Sequence, residues 1–177
     1  MKTFDNIYAA AFIICIILTF TSCGYHFGPG HENIDRSIQA VFIDIFQNDT
    51  SEAHLETYMR KAFIDELIQR GHFKSANQRS VADAILGGKI KTFTVSPIAY
   101  RSNNKAAVER IHITMEVFFV EQKTQKIIWR DHRFSGMVDY GIDATNLMVT
   151  KNARKNALIK LSNDSAERAF LLILSGF

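Results

Sequence analysis

Six histidines and two cysteines are the residues of this 177-residue chain that most directly invite chemistry. His26 and His31 flank a loop, His54 and His72 bracket a helical segment, and His112 and His132 fall on neighbouring β-segments. No two of them stand four apart on a helix beside an acidic ligand, so no metal centre is expected. His112 and His132 fit a surface pair facing each other across a ladder. Gly87-Gly88-Lys89 lacks the rest of a phosphate-binding loop, and no Gly-x-Ser-x-Gly elbow is present. The carboxylates are scattered over polar faces, so no acid–base pair stands out. These absences predict a protein that is not an enzyme and carries no cofactor. A net charge of +3 is too mild for a dedicated nucleic-acid binder.

The cysteines are Cys15 and Cys23, too few for a disulfide framework or a multi-cysteine zinc site. Both lie near the amino terminus. A short segment carrying Lys2 leads into an apolar run from Ile7 to Phe20, broken only by Thr19. That run is shorter than the roughly 20 residues a helix needs to span a bilayer, and it fits the core of a secretory signal. Phe20-Thr21-Ser22-Cys23 resembles a bacterial lipobox. The resemblance implies cleavage before Cys23 and acylation of its thiol and new amino group, including with palmitate and diacylglycerol. Two or more acyl chains hold a protein stably on a membrane, where one is marginal. Gly24, in place of an aspartate, agrees with outer-membrane sorting. The expected division is a cleaved signal at 1–22, a lipidated leader at 23–36 and one domain at 37–177.

Within that domain, Val41, Ile43 and Ile45 alternate with Phe42 and Phe46, which predicts a strand with apolar side chains on both faces. Asp49 followed by Glu52 has the spacing of a variant capping box. Leu55, Met59, Ala62, Phe63 and Leu67 then predict an amphipathic helix over 52–70, with Gly71 as its stop. A second strand runs over 82–100. Gly87-Gly88 signals a bulge or a close backbone approach, and Pro97 an edge or a bend. Ile111, Ile113, Met115, Val117 and Phe119 alternate with polar residues in the clearest strand of the chain. A polar turn at 122–126 leads to a last strand over 127–140. Residues 146–174 read as a helix with Leu158, Leu161, Ser165, Ala169 and Leu172 as its stripe, and with small residues that allow close packing. The order β-α-β-β-β-α predicts an α+β two-layer sandwich, two helices on a four-stranded mixed sheet. The helix in the first connection permits parallel pairing of strands one and two.

Several segments in this order carry a resemblance. Cys23-Gly24-Tyr25-His26-Phe27 follows the lipobox, and Ile45-Phe46-Gln47-Asn48-Asp49-Thr50 precedes the first helix. Ala82-Asp83-Ala84-Ile85-Leu86-Gly87-Gly88-Lys89-Ile90 opens the strand that reaches Pro97 and Tyr100, and Ile128-Trp129 with Phe134-Ser135-Gly136 marks the last strand. The chain resembles the LptE family of lipopolysaccharide-assembly lipoproteins over its mature length. The resemblance implies a lipid-anchored, periplasm-facing protein of the outer membrane that plugs and helps assemble the LptD β-barrel. It also implies lipopolysaccharide binding and export. Arg101 aligns with the family's basic contact after strand two, and Lys151 with a second one, across a gap in the preceding loop. Arg101 and Lys105 share a loop, while Lys151, Arg154 and Lys155 cluster where the last helix begins. Arginine offers lipid A phosphates a bidentate fork. The competing expectation is a carrier or sorting lipoprotein, which requires an apolar cavity for a hydrophobic ligand.

Overall fold

The β-branched and aromatic residues of β1 (Ala40–Ile43) fix the middle of a sheet, because both flanks of this strand are occupied. The computed structural model describes residues 34–35, 37–100, 102 and 106–176, all within a unit that runs from His31 to Phe177. Its elements are β1, β2 (Gln47–Asn48), α1 (Leu55–Arg70), β3 (Lys74–Ser75), β4 (Ala84–Tyr100), β5 (Ala106–Glu121), β6 (Ile127–Gly141) and α2 (Leu147–Ser175). The sheet order is β3-β1-β4-β5-β6, with β2 also pairing β4. β1 lies parallel to β4, with Val41 opposite Ala84 and Ile43 opposite Leu86. β4, β5 and β6 form an antiparallel meander. The expected α+β sandwich is therefore present, with six strands in place of four. The two extra strands, β2 and β3, have two residues each, too short to leave a period-two pattern in the sequence.

Three local expectations are corrected. The capping box does not form, and α1 starts at Leu55: its N-cap, His54, has φ 66° and no side-chain cap. Asp49 is drawn instead to Lys89 at 2.7 Å, and Glu52 to Arg154 at 2.6 Å. The alternation of the first strand stops at Ile43. The Asp44 N–H donates to the Leu86 carbonyl and the Asp44 carboxylate accepts the Ile45 N–H, which turns Ile45 out and Phe46 into the core. His112 does not face His132: it sits opposite Met137, because the two histidines lie at unequal distances from the turn at 122–126.

Of the two readings of Gly87-Gly88, close approach is the right one. The ladder runs through both glycines without a shift, and the irregularity falls later, between Ile90 and Thr92. A Cβ on Gly88 would stand 2.4 Å from the Glu116 carbonyl oxygen and 2.6 Å from the Phe46 ring. On the other face, a Cβ on Gly87 would meet Phe118 at 2.9 Å. Glycine is required here for space, so that Phe46 can lie flat on the strand.

The helices share one face of the sheet and run in the same direction, joined by Glu52–Arg154 near one end and by Arg70 donating to the Glu167 carbonyl at the other. Phe46, Phe63 and Phe170 stack in series between the layers, at centroid distances of 4.9 and 6.0 Å. Each such fully buried side chain contributes about 1.5–3 kcal/mol by leaving water. Gly71 ends α1 in the left-handed conformation, as expected. Asn146 caps α2 by accepting the Met148 and Val149 N–H groups at 3.0 and 3.3 Å. The small residues Ser162, Ser165, Ala166 and Ala169 are buried, and Leu161 and Ser165 reach Gly136 on β6.

Candidate functional site

β4 outruns its parallel neighbours. Its last parallel partner is Asn48, opposite Ile90, and residues 91–100 pair only with β5 among the described residues. Pro97 sits in this stretch, where a missing N–H costs the ladder nothing on the open side. The meander therefore projects beyond the rest of the sheet, and the first turns of α2 project with it. The Ile142 N–H donates to the Ala107 carbonyl, and the Thr150 hydroxyl is bonded to the backbone of Asp143. Both contacts tie the start of α2 to the ends of β5 and β6.

The projecting end is fixed by paired charges. Arg110 grips Asp139 in a bidentate pair of 2.6 and 2.8 Å, and its hydrogen bond and charge hold the Asp139 carboxyl below the usual range. The Tyr140 hydroxyl donates to Glu109; burial, then this bond, pushes the phenol up to about 12. Arg154 is half-buried, bonded to Glu52 and seated 5.7 Å above the Phe93 ring, so its charge is already engaged. Lys151 and Lys155 are exposed one helical turn apart and have no ion-pair partner among the described residues. Beside them the first turn of α2 exposes Leu147, Met148 and Val149. Arg101, Lys105 and Cys23 lie outside the described residues. Tyr100 and Ala106, opposite each other in the ladder, bracket the segment that holds the first two.

Sequence reasoning grouped Lys151, Arg154 and Lys155 at the start of this helix; the structure leaves the two lysines exposed and engages Arg154 with Glu52. That partner is too distant in the chain for any local pattern to reveal. A second cluster was missed. On the sheet face away from the helices, Glu116 lies 3.2 Å from Lys91, 3.6 Å from Arg130 and 3.4 Å from His132. Burial pulls the Glu116 carboxyl up, but Lys91 and His132 outweigh it and hold the group below its ordinary value. The available signal was the alternation of β5, which puts Glu116 on the outer face; its partners depended on the bulged register. Among the described residues no group of three or more potential ligands is placed to hold a metal ion.

The same architecture occurs in solved structures of low identity. A candidate lipoprotein from Caulobacter crescentus CB15 is similar with a TM-score of 0.52 at 12% identity, over 73% of this chain and 88% of that one. A protein from Xanthomonas campestris is similar with a TM-score of 0.51 at 8% identity, over 78% and 85% of the two chains. These likenesses concern the fold alone. No curated protein matches the chain. The family model described as LptE, lipopolysaccharide-assembly, matches residues 38–172, a span that takes in every strand of the sheet, all of α1 and nearly all of α2. The chain belongs to the LptE family of lipopolysaccharide-assembly proteins.

Proposed function

We propose that this protein is a lipoprotein anchored to the outer membrane through acyl chains on Cys23. It faces the periplasm, plugs and helps assemble an LptD-like β-barrel, and takes part in binding and exporting lipopolysaccharide. The observation that carries this reading is the family match over 38–172, on a chain that begins with a lipobox-like Phe20-Thr21-Ser22-Cys23.

The packing favours a plug over a carrier. A carrier needs an apolar chamber, whereas here Phe46, Phe63, Phe119, Phe134 and Phe170 fill the space between sheet and helices with at most 1% exposure. A groove of about 620 Å³ lies between the helices, but its lining includes Asp65, Glu66, Arg70, Asp164 and Glu167, which do not suit an acyl chain. The lipopolysaccharide contacts are assigned to the projecting end. Lys151 and Lys155 offer two unspent cations there, and Arg101 and Lys105 belong to the segment that begins at Tyr100. Arg154, already paired with Glu52, supports this end from beneath rather than meeting a phosphate itself.

Affinity purification of the lipidated protein from outer membranes tests the reading. A large outer-membrane barrel is expected in stoichiometric amount. Recovery of the monomer alone, with surface lipopolysaccharide normal after depletion, would overturn it. Arg101→Glu is expected to weaken lipopolysaccharide capture while leaving the barrel complex intact.

A further inference from the structure

Among the described residues β6 is the last strand of the sheet, and its outer edge is met by a side chain of α2. In an antiparallel ladder, successive residues point their N–H and C=O groups alternately toward the partner and away from it. The Ser135 carbonyl accepts a hydrogen bond from Arg168 on α2, so Ser135 points away from β5. Met137, two residues on, points the same way, while Gly136 between them faces Ile113. Arg168 thus supplies to Ser135 the donor that the N–H of one more strand would supply. Its guanidinium also rests 4.1 Å above the Phe134 ring, at the mouth of a hollow of about 200 Å³ between β6 and α2.

That hollow is lined by Gly136, Met137, Leu161, Ser165 and Arg168, among others. Leu161 and Ser165 pack close over Gly136 on its floor, and it is too small for a free ligand, which needs roughly 300 Å³ or more. One side chain fits it. Ser165 on its wall is 3% exposed, and its hydroxyl has no hydrogen-bond partner among the described residues, an arrangement that costs about 1–3 kcal/mol unless a partner arrives. Asp164, at the rim, is already paired with Lys160 at 2.5 Å, so the unspent charge at the mouth is that of Arg168.

We infer that the β6 edge at Ser135 and Met137 takes an added β-strand from an extended segment of the barrel partner, one side chain of which enters the Ser165 hollow. That side chain has an apolar stem against Leu161 and Met137 and an acceptor tip, an amide or a carboxylate, that meets the Ser165 hydroxyl and the Arg168 guanidinium. On docking, a backbone N–H of the incoming strand takes over the Ser135 carbonyl, and Arg168 turns to the acceptor tip. Main-chain bonds give such an interface its affinity and the single pocket its selectivity. The identity of the partner rests on the function proposed above.

The test uses the full lipidated protein, purified alone and with the barrel. Amide hydrogen exchange read residue by residue is expected to slow at Ser135 and Met137 by about a hundredfold in the complex, with Gly136 unchanged. A photo-cross-linking residue in place of Met137 is expected to join a single extended segment of the barrel. Met137→Pro removes an outward N–H without touching the β5 ladder and is expected to lower barrel recovery at least tenfold; Ser165→Ala and Arg168→Gln, which leave the strand intact, are expected to lower it several-fold. Barrel recovery with unchanged exchange at Ser135 and Met137, or cross-links to lipid or to a second copy, would overturn the inference and leave the proposed function standing. If no barrel is recovered with the unmodified protein, both fall together.

Discussion

Where β1 and β2 back β4, the sheet is covered by two helices and the inward side chains Phe46, Leu86 and Ile90 are dry; beyond Ile90, the same strand has one neighbour among the described residues, and its inward residues Phe93 and Val95 are only half-buried. The two halves share strands, yet they use different physics. The root is held by shape: Phe46 against Gly88, Phe63 between Phe46 and Phe170. The projecting end adds polar pairs to its packed Ile111 and Ile113: the exposed Arg110 with Asp139, and the buried Tyr140 with Glu109. Shape packing tolerates little change but needs no particular solvent. Paired charges can be exchanged for contacts with a ligand or partner, which suits a surface that must bind.

The sharpest way to break this contrast is to add one carbon in each half. Gly88→Ala places a methyl 2.4 Å from a backbone oxygen, and the strand must shift to accept it. We expect a loss of about 3 kcal/mol or more in urea unfolding. Phe63→Ala, which empties the centre of the aromatic stack, is expected to cost about 3–5 kcal/mol. Thr94→Val, on the exposed outer face of the projecting half, should stay within about 0.5 kcal/mol of the parent. Equal losses in the two halves would mean that the projecting end is as tightly packed as the root.

Binding should show the reverse order. Replacing Lys151 and Lys155 together by alanine removes two exposed cations that the fold does not use. Each lysine near an anionic headgroup surface is worth about 1 kcal/mol, so lipopolysaccharide capture should fall roughly 30-fold with unchanged thermal melting. If capture is unchanged, the basic face of α2 is solvated surface and nothing more.

Much of the root was legible in the sequence. The helix stripe from Leu55 to Leu67, the Gly71 stop and the alternation of β5 are local patterns, written at periods of 3.6 and 2, and they appear where expected. The two-residue strands were not legible, because their pairing is decided by neighbours far along the chain. Neither was the fate of Asp49 and Glu52, whose capping spacing lost to Lys89 and Arg154. The same cause hid the Glu116 cluster and the Ser165 hollow: both depend on the β5–β6 register and on how α2 lies over Gly136. The grouping of Lys151, Arg154 and Lys155 was legible because they are near in sequence at a helix start; that Arg154 is engaged by Glu52 was not, because that partner lies far along the chain.

Glu52–Arg154 joins the halves, since Arg154 also covers Phe93 at the edge of the projecting strand. Both side chains are partly exposed, so the pair itself is worth about 1 kcal/mol at most. A double-mutant cycle of Glu52→Gln with Arg154→Met should return a coupling of that size. Faster amide exchange at Phe93 and Val95 should accompany it, without change at Leu86. Coupling near zero would show that the two halves are stabilised independently.

The smallest effect separates the halves by pH and salt. In the root, Asp83 accepts the backbone N–H groups of Ala40 at 2.9 Å and Gln39 at 3.0 Å, and these bonds hold its carboxyl below the ordinary value. In the projecting half, Arg110 lowers Asp139 in the same direction. A carboxyl with a lowered folded-state pKa adds stability that is present above its unfolded value, roughly 3.9, and is lost as the pH falls through the folded value. Both groups should therefore contribute at pH 7 and be lost below about pH 4. Their response to salt should differ. The Arg110–Asp139 pair is exposed and its attraction is screened within about 10 Å at 0.1 M salt, whereas the Asp83 bonds are short contacts to the backbone of β1. Asp139→Asn should flatten the acid limb of the melting curve at low salt and do little at 1 M, while Asp83→Asn should flatten it at both. An equal salt response from the two variants would remove the distinction between a root tied by backbone geometry and an end tied by exchangeable charge.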